Sequence, residues 1–239
     1  MENKMDALKD ALEIWNISIT EKQLFQFEKY FELLIEWNSF MNLTAITSLQ
    51  DVIDKHFIDS LAIVRYTIID QKKILDLGTG AGFPGIPLKI LFPDTELVLL
   101  DSLNKRVKFL NTVIETLQLE KITAVHGRAE EFAQNKLYRE QFDFCVSRAV
   151  ANLSTLSEYC IPFVNMKGSF VSYKAEHAEN EIEEAKNAVH ILGGKIEQIE
   201  TYRLPNTDIG RTLIFIKKIE STKKRYPRKA GIPGKEPLY

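Results

Sequence analysis

A run of glycines between a short apolar strand and a helix constrains this chain more than any other feature. Ile74-Leu-Asp-Leu77 reads as a buried strand, and Gly78-Thr-Gly80-Ala-Gly82-Phe83-Pro-Gly85 follows it at once. Glycine is needed where the backbone turns tightly at positive φ or must approach a ligand with no Cβ in the way. Strand, glycine turn and helix in that order open a βαβ unit, and an open α/β sheet binds its ligand at the carboxyl ends of such strands. One βαβ step later, Glu96-Leu-Val-Leu-Leu-Asp101 ends in a carboxylate placed to accept the hydroxyls of a ribose.

The surrounding pattern extends this unit into a sheet. Residues 1–68 are helical in pattern: Leu8, Ala11, Leu12 and Trp15 recur at helical spacing. Thr20 with Gln23 matches a capping box, and the helix behind it aligns Leu24, Phe27, Phe31, Leu34 and Ile35 before the polar segment from Asn38 to Thr44. A further helical stretch runs from Leu49 to Tyr66. From Lys72 onward strands and helices alternate, with strands at 122–125, 142–146 and 169–173 and helices between them. Such unalternating apolar strands imply a parallel sheet covered on both faces. Two last strands, at 196–202 and 212–219, are joined by a Pro/Asn/Gly loop too short for a crossover helix, so that pair must be antiparallel.

Gly80-Ala-Gly82-Phe-Pro-Gly85 also satisfies G-x-G-x-x-G, the fingerprint of a pyrophosphate site. Three features favour S-adenosylmethionine over a dinucleotide. Asp76 ends the strand ahead of the glycines and suits a cationic amino-acid moiety. The chain holds a single nucleotide half and closes with the antiparallel pair. Pro84 and Pro87 at the start of the following helix also leave fewer N–H groups for phosphate.

Composition narrows the setting. No apolar run approaches the roughly 18 residues of a membrane span, and Met1-Glu2-Asn3-Lys4 lacks the apolar stretch of a secretion signal. Cys145 and Cys160 have neither Cys-x-x-Cys nor metal-ligand spacing, which predicts reduced thiols in a cytoplasmic protein. His56, His126, His177 and His190 are scattered, and no metal is expected. The net charge of −2 is unevenly spread: Lys217 to Tyr239 carries eight basic residues against two acids, a net +6 on a body of −8. A basic end is either a polyanion contact or a solvated, solubilising tail.

In order along the chain stand Glu36-Trp-Asn38, Met41-Asn-Leu-Thr44 and Lys55-His-Phe-Ile-Asp-Ser-Leu61. After them come the glycine turn, Asp101-Ser-Leu-Asn-Lys-Arg106, Gly127-Arg-Ala-Glu130, Ser147-Arg-Ala-Val150 and the tail from Tyr226 to Leu238. In that ordered set, which spans the chain, it resembles the bacterial 16S ribosomal RNA guanine-N7 methyltransferases, historically called glucose-inhibited division protein B. The resemblance implies an α/β class I S-adenosylmethionine-dependent methyltransferase: a Rossmann-like, mostly parallel seven-stranded sheet with an antiparallel last strand. It also implies a helical N-terminal extension (1–68) packed on the core, a cofactor-binding domain (69–220) and a basic C-terminal tail (221–239). The family's cofactor contacts fall on Gly78 and Phe83, on the Ala129-Glu130 pair and on Arg148; Gly80 in the turn and Asp101, from its strand position, join them. Taken alone, Phe83 reads as core, Glu130 as a carboxylate favoured by a helix N-terminus and Arg148 as a surface cation. His56 and Asp59 fall in a family motif, either lining the pocket or making a helix–helix hydrogen bond.

The implied reaction transfers a methyl group to guanine N7 of 16S ribosomal RNA, free or within the small subunit, and releases S-adenosylhomocysteine. N7 has a lone pair and no proton, so in-line displacement needs alignment and electrostatics and no general base. The sequence accordingly offers no catalytic dyad. Cysteine chemistry of the kind used at pyrimidine C5 is not expected, because Cys145 lies in a buried-looking strand and Cys160 precedes Ile161-Pro162. Lys223, Lys224, Arg225, Arg228 and Lys229 are the candidate RNA contacts, on a tail expected to be a flexible cationic strand of a monomeric protein. A small-molecule methyltransferase and a cofactor-binding regulator without turnover are the alternatives.

Overall fold

The first four strands of the sheet are short, with five to seven residues each, the three later ones are longer, and the arrangement is set by which face each strand must bury. The computed structural model describes residues 4–148 and 151–238; Met1, Glu2, Asn3, Ala149, Val150 and Tyr239 lie outside the described residues, and with them the second half of Ser147-Arg-Ala-Val150. Seven strands form one sheet: β1 (Lys73–Leu77), β2 (Glu96–Asp101), β3 (Ile122–His126), β4 (Phe142–Arg148), β5 (Val164–Ala175), β6 (Gly194–Arg203) and β7 (Gly210–Lys218). Their spatial order is β3-β2-β1-β4-β5-β7-β6. β1 to β5 pair in parallel, and β7 runs antiparallel to both β5 and β6. The order reverses between β1 and β4, so their carboxyl ends diverge into the crevice that such sheets use for ligands.

Period-two alternation sends successive residues of β1 to opposite faces. Ile74 joins a core with the N-terminal helices, whereas Leu75 and Leu77 join the core beneath the helices on the other side. Over the first face lie α1 (Asp6–Ile14) and α2 (Glu21–Met41), with α5 (Gly85–Leu91) and α6 (Asn104–Thr116). Leu8, Leu12, Leu24, Phe27 and Leu34 are buried there, so the N-terminal helices share a core with the sheet. The capping box forms as its spacing predicts: Gln23 N donates to Thr20 Oγ1 at 3.3 Å, and Thr20 N donates to Gln23 Oε1 at 2.9 Å. α2 ends inside the polar segment, after Met41, where Asn42 adopts the left-handed conformation, φ 51°.

The helical stretch after Leu49 is not uniform. α3 (Leu49–Val52) widens into a π-helical segment, Ile53–Ile58, then passes through α4 (Asp59–Leu61) to a 3-10 turn, Ala62–Arg65. A π turn shifts the hydrogen-bond register within the helix. Arg148 Nη1 reaches the carbonyls of Lys55 and His56 in this segment, at 3.2 and 3.4 Å, and the His56 carbonyl also accepts from Ser60 Oγ.

On the second face lie α7 (Ala129–Phe132), α8 (Leu153–Cys160) and α9 (Glu179–Ile191), and the C-terminal tail packs beside them, ending in α10 (Ile232–Lys235). The tail is therefore not the flexible strand expected from its composition. Arg228 lies along the buried Glu158, donating from N, Nε and Nη2 at 2.7–3.1 Å. Tyr226 is buried, and Arg139 donates to the carbonyls of Thr222, Lys223 and Tyr226. Polar capture of the tail's backbone replaces the apolar surface that the tail itself lacks. No helix among the described residues is long and apolar enough to cross a membrane.

Candidate active site

The turn after β1 is held from both sides before any ligand arrives. Gly78, Gly80 and Gly82 have φ of +70°, +63° and +100°, a region that costs an L-residue roughly 1–2 kcal/mol. Gly78 N and Thr79 N donate to Leu100 O at the end of β2, 2.8 and 3.3 Å away. Gly80 N donates to Asp101 Oδ2 at 2.9 Å, and Leu103 N donates to Asp101 Oδ1 at 2.8 Å, so the carboxylate is fixed at the turn with lone pairs to spare. Arg106 approaches the same carboxylate at 3.4 Å.

Asp76 lies beneath the turn, fully buried and not on the cleft lining. Its Oδ2 accepts from Thr79 Oγ1 and Gly85 N, each at 2.7 Å, while Oδ1 is buried with no partner. A Cβ at Gly85 would sit 2.7 Å from that carboxylate, which is why glycine stands there. Burial pushes the Asp76 carboxyl up to about 7, against the pull of these two donors. Where the sequence suggests an acid facing a ligand cation, the structure gives Asp76 the task of tying the turn together.

The turn floors a cleft of about 680 Å³, to which Gly78, Gly80, Phe83, Asp101 and Arg148 are all brought. Ala129 and Glu130 line an adjoining side cleft of about 150 Å³ that shares Gly78 and Ser102 with the first. Glu130 Oε1 accepts from Gly231 N of the tail at 3.0 Å. None of Lys223, Lys224, Arg225, Arg228 and Lys229 lines either cleft; Arg228 is committed to Glu158, and the other four are exposed.

Opposite the turn, the N-terminal helices and the ends of β4 and β7 meet in a polar cluster. Arg148 Nη1 donates to Asp59 Oδ2 at 3.0 Å and to Lys55 O at 3.2 Å, and its guanidinium lies 5.1 Å from the Phe83 ring centre. Arg211, at the start of β7, pairs with Asp59 Oδ1 at 3.3 Å. His56 stacks on Phe83, with centroids 4.4 Å apart and planes at 19°. Burial and then the charge of Arg148 push His56 down to about 3, so its ring is neutral. His56 and Asp59 line the cleft, and their hydrogen bonds go not to another helix but to Arg148 on β4, with Arg211 on β7 pairing with Asp59 as well. Arg211, Lys174 and Tyr173 also line it. Sequence reasoning passed over these three, because it takes the pairing of β4 with β5 to set Tyr173 and Lys174 beside Arg148, and that of β5 with β7 to add Arg211.

The family model for rRNA small subunit methyltransferase G matches residues 23–209. The ribosomal RNA small subunit methyltransferase G of Lachnoclostridium phytofermentans is 55% identical, over 93% of this chain and 92% of its own. That of Alkaliphilus metalliredigens is 47% identical over the whole of both chains. Among solved structures, a Haloferax volcanii methyltransferase complexed with the Trm112 activator superposes with a TM-score of 0.58 at 14% identity, covering 78% of this chain and 98% of that one. TYW2 of M. jannaschii bound to AdoMet gives 0.54 at 14% identity, over 74% and 79%. Likenesses this distant speak for the fold alone, a class I methyltransferase sheet, but the near relatives and the family model go further: the chain belongs to the rRNA small subunit methyltransferase G family.

Proposed function

We propose that this protein transfers a methyl group from S-adenosylmethionine to N7 of a guanine in 16S ribosomal RNA and releases S-adenosylhomocysteine. The observation that carries the reading is the cleft at the β1/β4 switch point, floored by the glycine turn and walled by the N-terminal extension, in a chain whose relatives are named for methylating small-subunit rRNA. The residues fit the cofactor. A Cβ built on Gly80 would meet only Gly78 O, at 4.0 Å, so the space above the turn is open. Gly78, Gly80 and Asp101 would hold the nucleoside, Phe83 and Arg148 would flank it, and Ala129 and Glu130 would hold its far end in the side cleft. When bound, the cofactor supplies a methyl group activated by its sulfonium.

The chain's own work is to orient and to exclude. Guanine N7 has a free lone pair, so no side chain has to remove a proton. The neutral His56 and the paired Arg148 and Asp59 form a fixed polar wall, and residues 1–68 close the cleft while residues 69–220 carry it. The exposed cations of the tail would contact phosphate, adding affinity with little sequence preference. In this reading the protein is a cytoplasmic monomer that meets the small subunit or its RNA. Incubation with methyl-labelled S-adenosylmethionine and small subunits tests it. Label should appear in 7-methylguanine with one S-adenosylhomocysteine per methyl, whereas cofactor binding with no product would make the protein a regulator.

A further inference from the structure

Thr44 stands at the cleft in a hydrogen-bond chain whose direction is forced. Arg148 Nη2 lies 3.3 Å from His56 Nδ1, and a guanidinium only donates, so Nδ1 accepts. A neutral imidazole whose Nδ1 accepts carries its proton on Nε2. Nε2 lies 2.9 Å from Thr44 Oγ1 and therefore donates to it. Ile46 N donates to the same oxygen at 3.0 Å. Both lone pairs of the hydroxyl are then taken, and its hydrogen must go to a third atom. No acceptor for it is present among the described residues, and Thr44 lines the cleft. The backbone beneath is fixed as well, because Thr44 N donates to Asn38 Oδ1 at 2.9 Å just beyond the left-handed Asn42.

We propose that Thr44 is the residue that reads the target base, donating its hydroxyl hydrogen to O6 of guanine under orientation by the Arg148–His56 pair. The inference rests on the reading above and deepens it. A base attacked at N7 must turn that edge toward the methyl group, and the atom beside N7 is then the discriminating one. Guanine offers the acceptor O6, whereas adenine offers an amino donor. A hydroxyl that can only donate satisfies the first and opposes the second. It is also uncharged, which matters because methylation at N7 turns the base into a cation; a lysine or arginine in that place would oppose the reaction. The chain gives a common purpose to Asn38, Thr44 and His56, three motif residues that cofactor binding leaves unexplained.

The test uses small subunits rebuilt on rRNA carrying either guanine or 2-aminopurine, a guanine without O6, at the methylated position. For the wild type, replacing guanine by 2-aminopurine removes both the hydrogen bond and some intrinsic reactivity; for Thr44→Val it removes only the reactivity. The loss in kcat/KM on that replacement should therefore be about 10–30-fold smaller for Thr44→Val than for the wild type, the scale of one hydrogen bond left unmade. Thr44→Ser should restore the wild-type ratio, and S-adenosylmethionine affinity should stay within about two-fold throughout. Equal losses for wild type and Thr44→Val would overturn the proposal, even if Thr44→Val is slow, because the threonine would then only support the loop. A wild-type protein that leaves guanine subunits unmethylated would instead bring down the underlying reading, and that outcome is visible before any variant is made.

Discussion

Gly78→Asp would place a Cβ and a negative charge at φ +70° on the floor of the cleft. S-adenosylmethionine affinity should fall by about 100-fold or more, nearly 3 kcal/mol, while the fold survives a strain of roughly 1–2 kcal/mol; calorimetry on the folded variant checks both. Asp101→Ala should cost less, about 1.5–3 kcal/mol, since it removes hydrogen bonds to one charged acceptor. His56 gives a pH signature. Its folded pKa of about 3 lies below the ordinary 6.5, so the unfolded chain binds the extra proton between those values. The neutral ring costs nothing above pH 6.5, and stability is lost as pH falls from 6.5 toward 3, by up to about 1.4 kcal/mol per unit. Between pH 6.5 and 4.5 the melting temperature of His56→Gln should fall less than that of the wild type, and parallel curves would mean that the ring is protonated in the fold. At this scale the turn and Asp101 were legible because their signals are local, a glycine spacing and a strand end. The roles of His56 and Asp59 stayed open between pocket and packing because their partners, Arg148, Arg211 and Tyr202, arrive from strands 89 to 152 residues away.

The elements show where composition misleads. The tail contains Tyr226, Pro227, Gly231, Pro233 and Pro237 among cations, and such a segment has too little apolar surface to order itself. It is ordered by Glu158, an acid with no visible sequence signal, which α8 holds fully buried. Removing one partner of a buried ion pair strands the other. Arg228→Ala should therefore destabilise by about 3 kcal/mol, a melting shift of roughly 6–12 °C for a domain of this size. Lys224→Ala, at an exposed position, should stay within about 0.5 kcal/mol. Truncation after Glu220 should cost at least as much as Arg228→Ala, and a truncated chain that melts with the full-length protein would show that the packing is incidental. The same limit applies to the helix after Leu49: apolar spacing predicts it, but the π segment whose Lys55 and His56 carbonyls accept from Arg148 has no signature in the spacing.

For the whole molecule, the alternation of strands and helices, with its antiparallel close, was readable from Lys72 onward, because each unit satisfies its own periodicity. The union of the N-terminal helices with the sheet in one core was carried by the family motifs rather than by any pattern, since a buried helix face does not name its partner. That union makes the cleft: the turn alone is a floor, and Thr44, His56 and Asp59 supply the opposite wall. The exposed Lys223, Lys224, Arg225 and Lys229 belong to this scale as well. Changing all four to glutamine should leave cofactor affinity intact and flatten the dependence of log RNA affinity on log salt, by up to about 0.7–0.9 for each phosphate no longer neutralised; an unchanged slope would make them a solvated surface. The central claim, methylation of a small-subunit guanine at N7, is tested most directly by mapping 7-methylguanine in 16S ribosomal RNA from cells with and without this protein. One 7-methylguanine should disappear without the protein and return with the wild type but not with Gly78→Asp. The same pattern of 7-methylguanine in both cells would contradict the claim.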